Sequence, residues 1–170
     1  GILTVGATAL LRAAKAGDVP AMKLLLAHGA NPTLPTATGI TPIMAAAGNG
    51  SVGLDTRGRY KSQEQAIDAV KTLLAAGADI NAKDNNGQTA LYGAATWGWN
   101  DLVKTLAANK ADLNVKDARG HTAADVAMGA AGSSGRATSQ SHPETAALLH
   151  QLMSAGAAPV ATPPTAATGN

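Results

Sequence analysis

Apolar residues recur along this chain at helical spacing. Ile67, Val70, Leu73 and Leu74 fall on one side of a helix. Similar leucine-rich stretches run into a repeated closing motif: Leu24-Leu25-Leu26-Ala27-His28-Gly29-Ala30-Asn31, Leu73-Leu74-Ala75-Ala76-Gly77-Ala78-Asp79-Ile80-Asn81, Leu106-Ala107-Ala108-Asn109-Lys110-Ala111-Asp112-Leu113-Asn114 and Leu152-Met153-Ser154-Ala155-Gly156-Ala157. Ahead of each lies a shorter, Ala-rich segment that opens on a threonine: Thr8, Thr41, Thr89 or Thr122. Threonine suits a helix start because its hydroxyl accepts a bond from an otherwise orphan N–H. Pro42 suits the first helical position, where its missing donor is not needed. The pattern predicts four helix pairs. First helices start near the four threonines, and second helices end near Gly29, Gly77, Lys110 and Gly156.

The spacing of these starts is the strongest signal. The intervals between threonines are 33 (41−8), 48 (89−41) and 33 (122−89). Each threonine has a glycine two residues earlier: Gly6, Gly39, Gly87 and Gly120. Fixed-period self-similarity marks a stack of repeated units. The closing positions give 48 from Gly29 to Gly77 and 46 from Lys110 to Gly156, so units two and four hold 15 (48−33) and 13 (46−33) extra residues. In both units each helix stays in phase with its own end of the repeat. The extra residues, about 51–65 and 132–144, therefore belong between the two helices, on one edge of the stack around Trp97 and Trp99. Long loops of this kind are usually functional or disordered.

The glycine turn, the Thr-led first helix and the second helix closing on Leu-Leu-x-x-Gly-Ala-Asp-x-Asn resemble the ankyrin repeat family. The resemblance covers about residues 6–157. It implies an all-α solenoid of helix–turn–helix units with short β-hairpin fingers, in one domain over 1–157. The repeats are about 6–38, 39–86, 87–119 and 120–157, followed by a tail over 158–170. Asn86-Gly87 is the strongest hairpin signal, since both residues tolerate positive φ. The chain departs from the family at three places. The histidine of T-P-L-H is replaced by Leu11, Met44, Tyr92 and Asp125, which removes its usual hydrogen bonds between repeats. Lys110 replaces the glycine after a second helix, where positive φ is easiest for Gly. The second and fourth units are over-long.

Composition sharpens this picture. Phe is absent and aromatics are 2% of the chain, so the core must be built from Leu, Val, Ile, Met and Ala. With no cysteine there is no disulfide or thiol chemistry, which fits a periplasmic or secreted setting as well as a cytoplasmic one. A net charge of +2 does not make the concentrated basic face of a nucleic-acid binder. No apolar run reaches the ~18 residues of a membrane span. The Ala and Gly content points to a GC-rich bacterial source. Residues 1–5 are apolar and unit one is as leucine-rich as an internal repeat, which predicts further repeats or a partner over that end. The Pro/Ala/Thr tail has no core-forming residues of its own. Both ends are expected to be held by something other than the chain's own core.

Catalytic and ligand chemistry finds no support. Gly48-Asn49-Gly50-Ser51-Val52-Gly53 fits G-x-G-x-x-G, but it follows a helix rather than a strand. His28, His121, His142 and His150 show no metal-ligand spacing. Gly132-Ser133-Ser134-Gly135 lacks the spacing of a nucleophile elbow. Asp84, Asp112 and Asp117 fall at turn positions. The chain is therefore expected to be no enzyme and to need no cofactor or metal.

The aromatic residues remain. Tyr60, Tyr92, Trp97 and Trp99 all lie within one stretch, and Arg57, Arg59 and Lys61 surround Tyr60. Trp, Tyr and Arg are enriched at interface hot spots; equally, the long segments could fold over the tryptophans as a satellite core. The resemblance implies a non-catalytic protein–protein interaction module that binds through its hairpin tips and first-helix ends. Those positions include Lys15, Thr38, Asn49, Asn85, Asn86, Gln88, Thr96, Trp97, Arg119 and His121. Together with Trp99, Tyr60, Arg57, Arg59 and Tyr92 they form the candidate partner surface. The expected role is a scaffold or accessory subunit of a hetero-complex. The alternatives are a regulator, inhibitor or chaperone, docking on one enzyme, and more remotely small-ligand binding by the long loops. The expected partner is a protein, with no nucleic acid, membrane span or small-molecule substrate.

Overall fold

The computed structural model describes residues 6–50, 61–130 and 141–156. Expectations for the two chain ends and for most of both long segments, Arg57, Arg59 and Tyr60 among them, lie outside these residues. Eight helices are described: α1 Ala9–Ala16, α2 Val19–Ala27, α3 Pro42–Ala47, α4 Gln63–Ala75, α5 Ala90–Thr96, α6 Asn100–Ala108, α7 Ala123–Ala127 and α8 Pro143–Gly156. The first helices stack as α1, α3, α5 and α7, and the second helices as α2, α4, α6 and α8. This is a two-layer solenoid in which each unit packs on its neighbours. α4 and α8 begin slightly before the expected ends of the long segments.

The four threonines do precede the first helices, but only two act through their hydroxyls. Thr8 Oγ1 accepts from Leu11 N at 3.1 Å. Thr122 forms a reciprocal cap with Asp125, accepting from Asp125 N at 3.3 Å while Asp125 accepts from Thr122 N at 2.7 Å. Thr41 and Thr89 are buried inside the stack and make no side-chain cap bond. Ser62 and Gln65 supply a further reciprocal cap at the start of α4.

Apart from Tyr92, which the sequence-based expectation of a purely aliphatic core left out, the core is aliphatic. Leu10, Met22, Ile43, Met44, Leu73, Leu91, Leu102 and Leu149 are essentially inaccessible. Ala14, Ala47, Ala69 and Ala95 are fully buried between them, which lets helix backbones approach closely.

The second helices close on one turn, repeated three times. After α2, Gly29 N donates to Leu26 O and Ala30 N to Leu25 O, each at 3.0 Å. Gly77 and Ala78 repeat this on Leu74 and Leu73, and Lys110 and Ala111 on Ala107 and Leu106. The turn needs a left-handed residue, and Lys110 adopts it with φ 67°, the only described non-glycine residue with positive φ. Lys110→Gly is therefore expected to raise stability by about 1 kcal/mol, the usual cost of an L-residue in that region. Urea unfolding checks this, and a neutral or lowered midpoint would contradict it.

The fingers between units carry hairpin closures without strands; no strand is assigned among the described residues. In the third, Gly87 N donates to Asp84 O and Asp84 N to Gln88 O, both at 2.9 Å. Gly87 has φ 76°, whereas Asn86 stays at negative φ. This is a three-residue loop with one left-handed glycine rather than the two-residue turn that Asn-Gly suggests.

Candidate functional site

The fingers form a row because each turn is built the same way. Thr36, Asp84 and Asp117 occupy one repeat position, and each accepts backbone N–H bonds within its own turn. Thr36 Oγ1 accepts from Ile40 N at 3.1 Å. Asp84 Oδ1 accepts from Asn86 N and Gln88 N, and Asp117 Oδ1 from Arg119 N and His121 N, all at 2.9 Å. Burial alone would push the Asp117 carboxyl up. The His121, Arg119 and Gln88 donors outweigh that and leave it below its ordinary value. These aspartates are turn elements, as their positions suggested.

Neighbouring fingers are tied laterally. Asn85 N donates to Thr38 O at 3.1 Å, Asn85 Nδ2 to Ala37 O at 3.2 Å, and Ala118 N to Asn86 O at 2.8 Å. Of the tip residues, Thr38, Asn85, Asn86 and Arg119 are exposed, and His121 is half-buried. Gln88 is not on this surface. It is buried, and its Nε2 donates to Asp117 Oδ2 at 3.3 Å in the next finger. Asn49 is buried too, with Nδ2 donating to Thr89 O at 3.0 Å.

Tyr92 also lies in the core rather than at a partner surface. It is 2% exposed, and its hydroxyl lies 2.7 Å from both Val115 O and His121 O, between which its one proton is shared. Burial, then the Asp117 charge, pushes the phenol well above its ordinary value. Standing where the repeat motif has histidine, Tyr92 restores a hydrogen-bonded link from unit three to the fourth finger. Tyr92→Phe is expected to lower stability by about 1–2 kcal/mol. It strands the buried Val115 carbonyl, whereas His121 O keeps the bond from Asp117 N. Thermal unfolding without loss of stability would show that this link is dispensable.

The second surface is the edge where first helices end. Trp97 closes α5 and Trp99 precedes α6, with ring centroids 5.6 Å apart and planes 19° from parallel. Trp97 Nε1 donates to Gly48 O at 3.2 Å across the unit boundary. Gly48 leaves the room for this, since a Cβ there would lie 2.6 Å from Trp97 Cδ1. Both tryptophans are half-buried, so they pack against the stack and still present part of their rings. Thr96 is half-buried and donates back to Tyr92 O at 2.8 Å.

The described ends of the two long segments flank this pair. Lys61 Nζ sits 5.9 Å from the Trp99 ring centroid. The His142 ring packs against Gly98, and the His142 backbone N–H donates to Ala127 O at 2.6 Å. Sequence reasoning missed two residues here. Lys61 donates to Ala45 O at 2.9 Å and to Ala46 O and Ala14 O, thereby serving the ends of α3 and α1. The faint signal was that α3 ends with no basic residue of its own. Met128, the residue after α7, is a 56% exposed apolar side chain.

Among the described residues no cluster of three His, Asp or Glu could hold a metal, and no helix is long and apolar enough to cross a membrane. Residues 60–149 match the family model for ankyrin repeats in three copies, and residues 10–54 match a second model, for ankyrin repeats in many copies. No curated protein matches the chain.

Proposed function

The chain belongs to the ankyrin repeat family, whose repeats generally mediate protein–protein interaction, and on that premise we propose that it is a non-catalytic scaffold or accessory subunit of a hetero-complex. It binds its protein partner through the finger tips Asn85, Asn86 and Arg119 and through the tryptophan edge. The observation that carries this reading is the exposed row of tips, tied by hydrogen bonds from finger to finger. A preorganised surface loses little entropy on binding. The half-exposed Trp97–Trp99 stack adds the residue type that most often dominates such interfaces.

The test is affinity capture from the native source with the full chain as bait, read by mass spectrometry. Three baits run in parallel: the wild type, an Asn86→Glu/Arg119→Glu variant at the tips, and a Lys71→Glu control on the exposed face of α4. A partner lost by the tip variant and kept by the control supports the reading. Equal retention by both variants moves the interface away from the fingers.

A further inference from the structure

The third and fourth fingers carry the same two charges in sequence, Lys83-Asp84 and Lys116-Asp117, which cancel on paper. The fold separates them. Each carboxylate is turned onto its own loop: Asp84 Oδ1 accepts from Asn86 N and Gln88 N, and Asp117 Oδ1 accepts from Arg119 N and His121 N. Asp117 Oδ2 takes Gln88 Nε2 as well. The carboxylates of the closing turns below, Asp79 and Asp112, each accept from the asparagine N–H two residues on. Both lysines are exposed, and among the described residues neither has a carboxylate within ion-pair reach. These two fingers are therefore cationic to anything that touches them, although the carboxylates beneath keep the wider field nearly balanced.

The two lysines stand one repeat apart, because each finger seats on the glycine of the one before. Asn85 N and Asp84 Cα lie 2.8 and 2.9 Å from where a Cβ on Gly39 would be, and Asp117 Cα and Ala118 N lie 3.5 and 3.6 Å from one on Gly87. Packed helices set the step between units at about 8–10 Å. At the junction of the two fingers sits Asn86. Its backbone carbonyl takes Ala118 N, and its exposed side-chain amide has no partner among the described residues. No large apolar side chain is exposed on either finger; Leu24, Leu34 and Met128 lie elsewhere.

We propose that the third and fourth fingers take an extended acidic segment of the protein partner, with carboxylates three residues apart, one on Lys83 and the next on Lys116, and its backbone on the Asn86 amide. This rests on the finger-tip reading above and gives the partner its chemistry. An amphipathic helix needs an apolar groove, which these fingers lack. A polyproline-type segment advances about 3.1 Å per residue and shows the same face every third residue. Its step of about 9 Å matches the step between units. The amide both donates and accepts, so it can serve a peptide's N–H or C=O. A phosphate backbone offers only acceptors, at a charge density that two lysines do not match.

The experiment is an NMR titration of the labelled full chain, at low salt, with three end-blocked peptides of about twelve residues. The first repeats Glu-Pro-Ala, the second has the same residues with the glutamates in one block, and the third has lysine in place of glutamate. The first is expected to bind more tightly than the second, with shifts at the Asn86, Lys116 and Ala118 amides, and the third not to bind. Lys83→Gln/Lys116→Gln is expected to weaken the first by about fivefold, mid-range for two exposed ion pairs. Both side chains are exposed and unbonded, so circular dichroism of this variant should match the wild type. No shift at the fingers at millimolar peptide, equal affinity for the first two peptides, or unchanged affinity in the variant overturns the proposal. So does a single-stranded oligonucleotide of equal charge that binds these fingers more tightly than the first peptide. The same variant as bait in the affinity capture separates this inference from the reading beneath it. A partner lost by Asn86→Glu/Arg119→Glu but kept by Lys83→Gln/Lys116→Gln overturns the acidic segment and leaves the finger surface standing. A partner kept by both sinks the finger surface and this inference with it.

Discussion

Gly93→Ala is expected to destabilise the protein by about 3 kcal/mol, the upper part of the range for overpacking a close-packed site. Helix propensity points the other way, since alanine exceeds glycine in a helix interior by about 1 kcal/mol. Gly93 is interior to α5. Contact decides the sign. A Cβ at this position would lie 2.6 Å from Ala47 O, 2.7 Å from Asn49 N and in collision with Asn49 Oδ1. Two of those three atoms are backbone, and that backbone cannot move freely. Lys61 holds Ala45 O and Ala46 O, Trp97 holds Gly48 O, and the Asn49 side chain is bonded to Thr89 O. The added methyl must therefore push α5 away from α3 and open the boundary between units two and three. Urea unfolding by circular dichroism measures the cost, with Gly77→Ala as control. A Cβ at Gly77 meets nothing within 4 Å, so that variant carries only the strain of φ 88°, about 1 kcal/mol. Equal losses for the two variants would mean that the boundary between units two and three has more give than this geometry implies.

The helices were legible in the sequence because their signals are local and repeated. Thr8, Thr41, Thr89 and Thr122 precede first helices, and the turns at Gly29, Gly77 and Lys110 follow second helices, as the phase of the motif required. The turn aspartates were legible for the same reason. What the sequence left open is the direction in which a side chain reaches across the stack. Tyr92, Gln88 and Asn49 were assigned from the sequence to the partner surface, yet each is covered by the neighbouring unit and bonded to it. Periodicity assigns a residue to a face of its own helix; it says nothing about whether the next finger closes over it. Thr41 and Thr89 make the same point, as cap residues with cap sequences whose hydroxyls are not used. Lys61 was the least legible. Its partners are 47, 16 and 15 residues away, and all are backbone carbonyls of alanines, which leave no side-chain signature.

Trp97→Ala is expected to weaken binding of the natural partner by about 2 kcal/mol or more, the usual hot-spot threshold. It is also expected to lower stability. Truncating a core aromatic costs about 3–5 kcal/mol, but Trp97 is only half-buried, so about 2 kcal/mol is the expected loss. That loss has identifiable parts: the stack on Trp99, the packing on Gly48 and the bond to Gly48 O. Because both effects come from one residue, they must be measured separately, as affinity by titration of the folded variant and as stability by urea unfolding. Trp97→Phe helps to divide them, since it keeps a ring on Gly48 while removing the indole N–H. If the indole face contacts the partner, Phe recovers part of the affinity and most of the packing. Arg59→Ala and Tyr60→Ala, outside the described residues, are expected to weaken binding less and in the same direction. Lost stability with unchanged affinity would assign Trp97 to the packing of units two and three, and would leave the finger tips as the whole of the binding surface.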